Sequence, residues 1–155
     1  MKALALALAL VAVPMTARAA DPFVGTYKLN PAKSATTGGQ MPAELRLTIA
    51  EDAGNLLIST SGKTATGTPI SAAVLVLPKI GGKITAPQGE RSYDSAVVTR
   101  NNVNTIDMRA LQNGKERTRV KLALSRDGKT LTRSFTSTNA QGRAVTGTSV
   151  LEREF

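Results

Sequence analysis

The 155-residue chain contains no histidine, no cysteine and no tryptophan. Without imidazole or thiolate, the common nucleophile–base pairs and the usual zinc or copper ligand sets lose their main participants. Disulfides are excluded, and so is a lipid anchor on a cysteine following a leader. A domain of this size buries enough apolar surface to stand without such cross-links. Aromatics are scarce too, three Phe and two Tyr, and stacking platforms are what nucleic-acid recognition normally adds to a basic surface. No nucleic-acid partner is expected. Carboxylates are few and scattered, and the adjacent Glu51 and Asp52 point to opposite faces at a turn, a solvent-facing arrangement rather than an acid/base pair. Two Gly-Lys-Thr triplets, at 62–64 and 128–130, resemble the tail of a phosphate-binding loop, but Leu57 and Ala123 stand where its first glycine belongs. Both read as hairpin turns. No catalytic residue, metal or cofactor is expected, and the chain is not read as an enzyme.

What is present begins with the leader MKALALALALVAVPMTARAA, which carries a charge at Lys2, eleven uninterrupted apolar residues from Ala3 to Val13, then Pro14 and small residues ending in Ala19 and Ala20. That is the layout of a cleavable export signal, whereas a membrane-spanning helix needs roughly 20 apolar residues. Residues 1–20 are read as a signal peptide cut before Asp21, and residues 21–155 as one domain with a periplasmic or secreted destination. Without Lys2 and Arg18, 18 basic residues face 11 acidic ones, a net charge of +7. A cationic monomer is expected.

Past Asp21 apolar residues recur with period two in short runs separated by Gly, Asn and Asp, the signature of strands and hairpins. The predicted strands cover 23–29, 44–50, 55–61, 68–77, 91–99, 103–111, 117–124, 130–137 and 144–152, with a weaker tenth at 79–86. Turn signals (EDAGN, RNNVN, QNGKE, SRDGKT, TNAQGR) fill nearly every gap. Sequential strands on short turns make an all-β, antiparallel up-and-down meander, and closure of about eight to ten strands into a β-barrel removes the exposed edges. A two-sheet sandwich is the rival. The barrel is favoured because the first and last runs can pair with each other and no Greek-key crossover is visible.

Period two puts Phe23, Gly25, Tyr27 and Leu29 on one face, read as the interior. In the 103–124 hairpin a two-residue Asn113-Gly114 turn would mix Ile106 and Met108 with Arg119 and Lys121. A longer loop containing Lys115 pairs Met108 with Val120 and Ile106 with Leu122, and burial should outweigh turn preference. An outward basic patch of Arg109, Arg117, Arg119 and Lys121 follows, giving weak contact with an anionic envelope surface or, by default, a solvated face. In the next hairpin an Asp127-Gly128 turn pairs Leu124 with Leu131, Leu122 with Arg133 and Val120 with Phe135. Arg133 then points inward among apolar residues, where a lone guanidinium costs several kcal/mol unless an acid, water or an anionic ligand joins it. The candidate ligand-binding residues are Arg133, Phe135, Leu122, Val120 and Tyr27. The competing readings are that Arg133 snorkels at a rim or that its register slips.

The segment FVGTYKL resembles the G-x-W first strand of the calycins, the superfamily of lipocalins and fatty-acid-binding proteins, and SVLEREF resembles the last strand of the latter. Together with SRDGKTLT and TNAQGRAV, these make the chain similar to small secreted bacterial proteins of calycin-like appearance whose role is not established. The resemblance implies a barrel holding a small hydrophobic or amphiphilic ligand. Tyr27 stands where calycins have tryptophan and is placed by the resemblance at the barrel base beneath a basic residue such as Arg153. The Arg-x-Tyr pair that holds a carboxylate in fatty-acid-binding proteins falls on Ser149 and Leu151, and no helical lid follows the first strand. The functional expectation is therefore a ligand-binding exported barrel, and the alternative is an envelope interaction protein working through its basic outer face.

Overall fold

The computed structural model describes residues 19–155 other than 72, 73, 89, 91, 139 and 140, so the leader at 1–18 lies outside the described residues. Twelve strands form one antiparallel sheet: β1 (Gly25–Leu29), β2 (Ala35–Thr37), β3 (Glu44–Glu51), β4 (Asn55–Lys63), β5 (Pro69–Ser71), β6 (Leu75–Pro78), β7 (Gly82–Thr85), β8 (Ser95–Asn102), β9 (Thr105–Gln112), β10 (Lys115–Leu124), β11 (Thr130–Thr138) and β12 (Ala144–Glu154). Its order is β5-β4-β3-β1-β12-β11-β10-β9-β8-β7, with β2 added to β12 and β6 to β4. First and last strands pair, Tyr27 opposite Arg153 and Leu29 opposite Leu151. The meander is thus the expected up-and-down one.

Two expectations are corrected. Ladder pairing does not close the sheet: β7 pairs only with β8 and β6 with β4, so the path ends where the chain turns through Lys79 to Gly81. The strand count is also larger than ten. The run expected at 68–77 is split into β5, opposite Ser61–Lys63, and β6, opposite Asn55–Ile58. The loop after β1 holds β2 as well, anchored by a single 3-10 turn at Pro31–Lys33 that Asn30 caps. Ser34 Oγ donates to Asn30 O at 2.7 Å and accepts from the Val150 backbone at 2.9 Å, tying this loop to β12.

The choice posed by the 105–124 hairpin resolves in favour of both signals. Asn113 (φ 52°) and Gly114 (φ 75°) make the tight turn their sequence favours, and Gln112 pairs with Lys115. A β-bulge at Arg117 then absorbs one residue, so that Val120 meets Met108 and Leu122 meets Ile106. The expected pairing holds; its cause is the bulge, not a longer loop. Inward residues of β1, β3, β4, β6 and β8 to β12 merge into one core, with Phe23, Tyr27, Leu56, Leu131 and Leu151 wholly buried.

Candidate ligand-binding site

One end of the lumen is sealed around Arg153. Its Nε donates to Gly128 O (2.7 Å), Nη1 to Val24 O (2.9 Å), and Nη2 to Pro22 O (2.7 Å) and the Tyr27 hydroxyl (2.5 Å). The guanidinium lies over the Tyr27 ring, 5.0 Å from its centroid, and the Tyr27 hydroxyl donates in turn to Phe23 O at 3.0 Å. Burial raises the Tyr27 pKa against the opposing pull of Arg153, so the phenol stays protonated. Gly25 is required here: its φ is 153°, and a Cβ would sit 3.1 Å from Arg153 Nη1. Beside this plug Arg100 stacks on Phe23 at 5.1 Å and grips Asp21 with both Nη atoms, at 3.0 and 3.3 Å.

Above the plug lies a cavity of about 250 Å³. Its walls are apolar side chains of β3, β4, β6, β9 and β10, among them Leu47, Ile58, Leu77 and Met108, and Pro42 stands at its rim. Strand alternation sends mostly aliphatic side chains inward at this level, joined by Thr60 and Arg133, and no aromatic ring is among the described lining residues.

One charged group enters it. The expected β10–β11 register is present, with Arg133 opposite Leu122 on one side and opposite the buried Ser149 of β12 on the other. Arg133 is partly buried, and desolvation lowers its pKa. Among the described residues no carboxylate pairs with it and no side-chain or backbone oxygen accepts from it. Its one polar-type contact is the face of Phe135, 5.3 Å from guanidinium carbon to ring centroid. The Phe135 ring lies flat on β12 over Gly147, where a Cβ would come within 2.5 Å of Cε1.

Of the five residues expected at the site, Arg133, Leu122 and Val120 line the cavity. Phe135 stands behind Arg133 as its stacking partner, and Tyr27 is in the plug at the sealed end, where the resemblance placed it beneath Arg153. Sequence reasoning missed Gly147, which gives the Phe135 ring its berth, and the opposite wall of Leu45, Leu47 and Ile58. The alternation in ELRLTIA and NLLIS carried the signal for that wall.

No protein-family model matches the chain, and no curated protein matches it. Among solved structures the fold is similar to that of the zebrafish ileal bile acid-binding protein in complex with cholic acid, with a TM-score of 0.53 and 10% identity, covering 86% of this chain and 99% of that one. At that identity the likeness concerns architecture, and the architecture is calycin-like.

Proposed function

We propose that the protein is an exported carrier or sensor that holds a small amphiphilic anion in its lumen, apolar tail against β3, β4 and β6 and acidic head on Arg133, and that it binds this molecule without transforming it. The observation that carries the reading is the guanidinium in an apolar cavity with no counter-charge. Arg133 is partly buried and its nitrogens keep access to water, so the cation is only partly desolvated, and a carboxylate or similar planar anion entering the cavity accepts two parallel hydrogen bonds from its fork. Support also comes from Ser149. The resemblance puts the first residue of the Arg-x-Tyr pair there, and Arg133 stands directly across the ladder, so the cation enters from the neighbouring strand. The fold neighbour, solved with cholic acid, shows the architecture hosting a small ligand.

The lining sets the ligand class: the aliphatic side chains of β3, β4 and β6 suit an acyl tail, and Arg133 suits an acidic head. The test is a titration with decanoate, decylamine and cholate, followed by native mass spectrometry of the protein purified from its own host. Decanoate should bind, decylamine should not, and an acidic amphiphile should co-purify. Equal binding of the acid and the amine would refute the role of Arg133, and binding of neither would refute the carrier.

A further inference from the structure

The two sides of the barrel handle charge differently. On the wall formed by β12, β1, β3 and β4 three cations are paired across strands and the adjoining loop, Lys33 with Glu152 at 2.8 Å, Arg46 with Glu154 at 2.9 Å, and Lys63 with Glu44 at 3.5 Å, and among the described residues Lys28 stands alone between them. On the wall formed by β9 and β10, the exposed Arg109, Arg117 and Lys121 make no ion pair among the described residues. Only Arg119 is engaged, both of its donors going to Glu116 at 3.1 Å. Asp107, opposite Lys121, is held instead by the Asn101 amide. Arg109 and Arg119 are directly opposed, and like charges so placed destabilise a sheet. Arg117, at the bulge, adds a third exposed guanidinium on β10. Nothing in the packing of the barrel requires Arg109 or Arg117, and removing Arg109 would relieve its repulsion with Arg119.

We propose that this wall is a docking surface for an anionic polysaccharide. Arg119 and Lys121 follow one another on the outer face of β10 about 6.8 Å apart, Arg109 lies about 5 Å to the side of Arg119, and Arg117 extends this cationic strip toward the β9–β10 turn on the convex wall of the barrel. A convex wall meets a flat bilayer only along a line, but a linear polyanion can lie along the whole row. A shallow groove of about 330 Å³ runs beside it, lined by Arg109, Arg119, Thr99 and Asn101 and by one carboxylate, Asp107, which the Asn101 amide holds. The exposed large apolar residues that would anchor a membrane, Val74, Val76, Ile80, Val103 and Phe155, lie on other elements. β9 and β10 contain no aromatic residue, so nucleic-acid bases have no platform.

The test measures binding of the full mature chain to polygalacturonate oligomers, with neutral dextran, phosphatidylglycerol vesicles and single-stranded DNA as rivals. Polygalacturonate should bind and neutral dextran should not. Affinity should fall on the order of tenfold between 50 and 200 mM salt, as expected when a few cations are neutralised together. Arg117→Glu and Lys121→Glu should each weaken binding at least several-fold, while Lys28→Glu, an equal charge change at an exposed, unpaired lysine of β1, should leave it within twofold. Arg133→Met should leave it unchanged, which separates this surface from the cavity. Equal loss with Lys28→Glu would reduce the effect to net charge and overturn the proposal. Stronger binding to vesicles or DNA than to the polysaccharide would overturn it too. Melting curves matching the parent's verify that the surface variants are folded.

Discussion

Replacing Arg133 by methionine should make the protein more stable and unable to retain an anion. The guanidinium is partly buried, has no hydrogen-bonding acceptor among the described residues, and is compensated by the Phe135 face and by residual contact with water. A fully desolvated lone charge costs several kcal/mol, from which partial exposure and a cation–π contact worth about 1–2 kcal/mol must be subtracted. Methionine keeps most of the aliphatic stem and adds volume to the 250 Å³ cavity. The net gain should be about 1–3 kcal/mol. For a domain of this size that raises Tm by roughly 3–10 °C. Calorimetric melts of both proteins, with and without decanoate, read both halves of the prediction. At ligand concentrations near a hundredfold Kd the parent should gain about 2.7 kcal/mol and the variant nothing. A ligand-free Arg133→Met protein that melts below the parent would show that the arginine works for the fold, and the functional reading would lose its basis.

Gly147→Ala should push the Phe135 ring off its seat, costing about 1–3 kcal/mol by overpacking, and should weaken decanoate binding more than Ser149→Ala does, as a side-by-side titration would show. Deleting Arg117 should be tolerated, since Glu116 and Thr118 already pair with Leu111 and Ala110; deleting Lys121, which lies beyond Val120, should unfold the protein by turning Leu122 and Leu124 outward, or Val120 if the bulge is lost to restore them, and circular dichroism distinguishes the two. Tyr27→Phe leaves the Phe23 carbonyl without its donor and should cost about 1–3 kcal/mol in a urea melt. On the acid side, hydrogen bonds hold Asp52, Asp94 and Asp127 below the ordinary carboxyl range, and Lys33 and Asn30 do the same for Glu152. Their folded pKa values are depressed, so their contribution is complete above the unfolded value near 4 and is lost as pH falls through the folded ones. Tm should be flat from pH 7 to about 5 and fall below about pH 4, and Asp94→Asn should lessen that fall.

Alternation made much of this fold legible. Ile106, Met108, Val120, Leu122, Leu124 and Leu131 declare their facing, and the Asp127-Gly128 turn carries that facing to Arg133, so the single charged residue of the cavity could be named beforehand. The division of 68–77 into β5 and β6 could not, because both pair with β4 and their registers differ by only one residue. The break between β6 and β7 was hidden for a related reason: the expected closure of β1 on β12 does occur, and the unpaired edges fall elsewhere. Asp21 and Arg100 are 79 positions apart, and no local pattern announces that they meet under Phe23. Gly147 looked like an ordinary strand residue, since its purpose is a ring arriving from another strand.

Placing β1 between β3 and β12 has a consequence for how the polypeptide acquires its shape. β1 finds one of its two neighbours only when β12, Ala144–Glu154, has been made. Until then Tyr27 has no Arg153 to hold its hydroxyl, and the sealed end cannot form. Such non-local pairing carries a loop-closure cost that slows folding and delays it past synthesis. Loss of those last residues should leave no smaller barrel, only an unfolded chain.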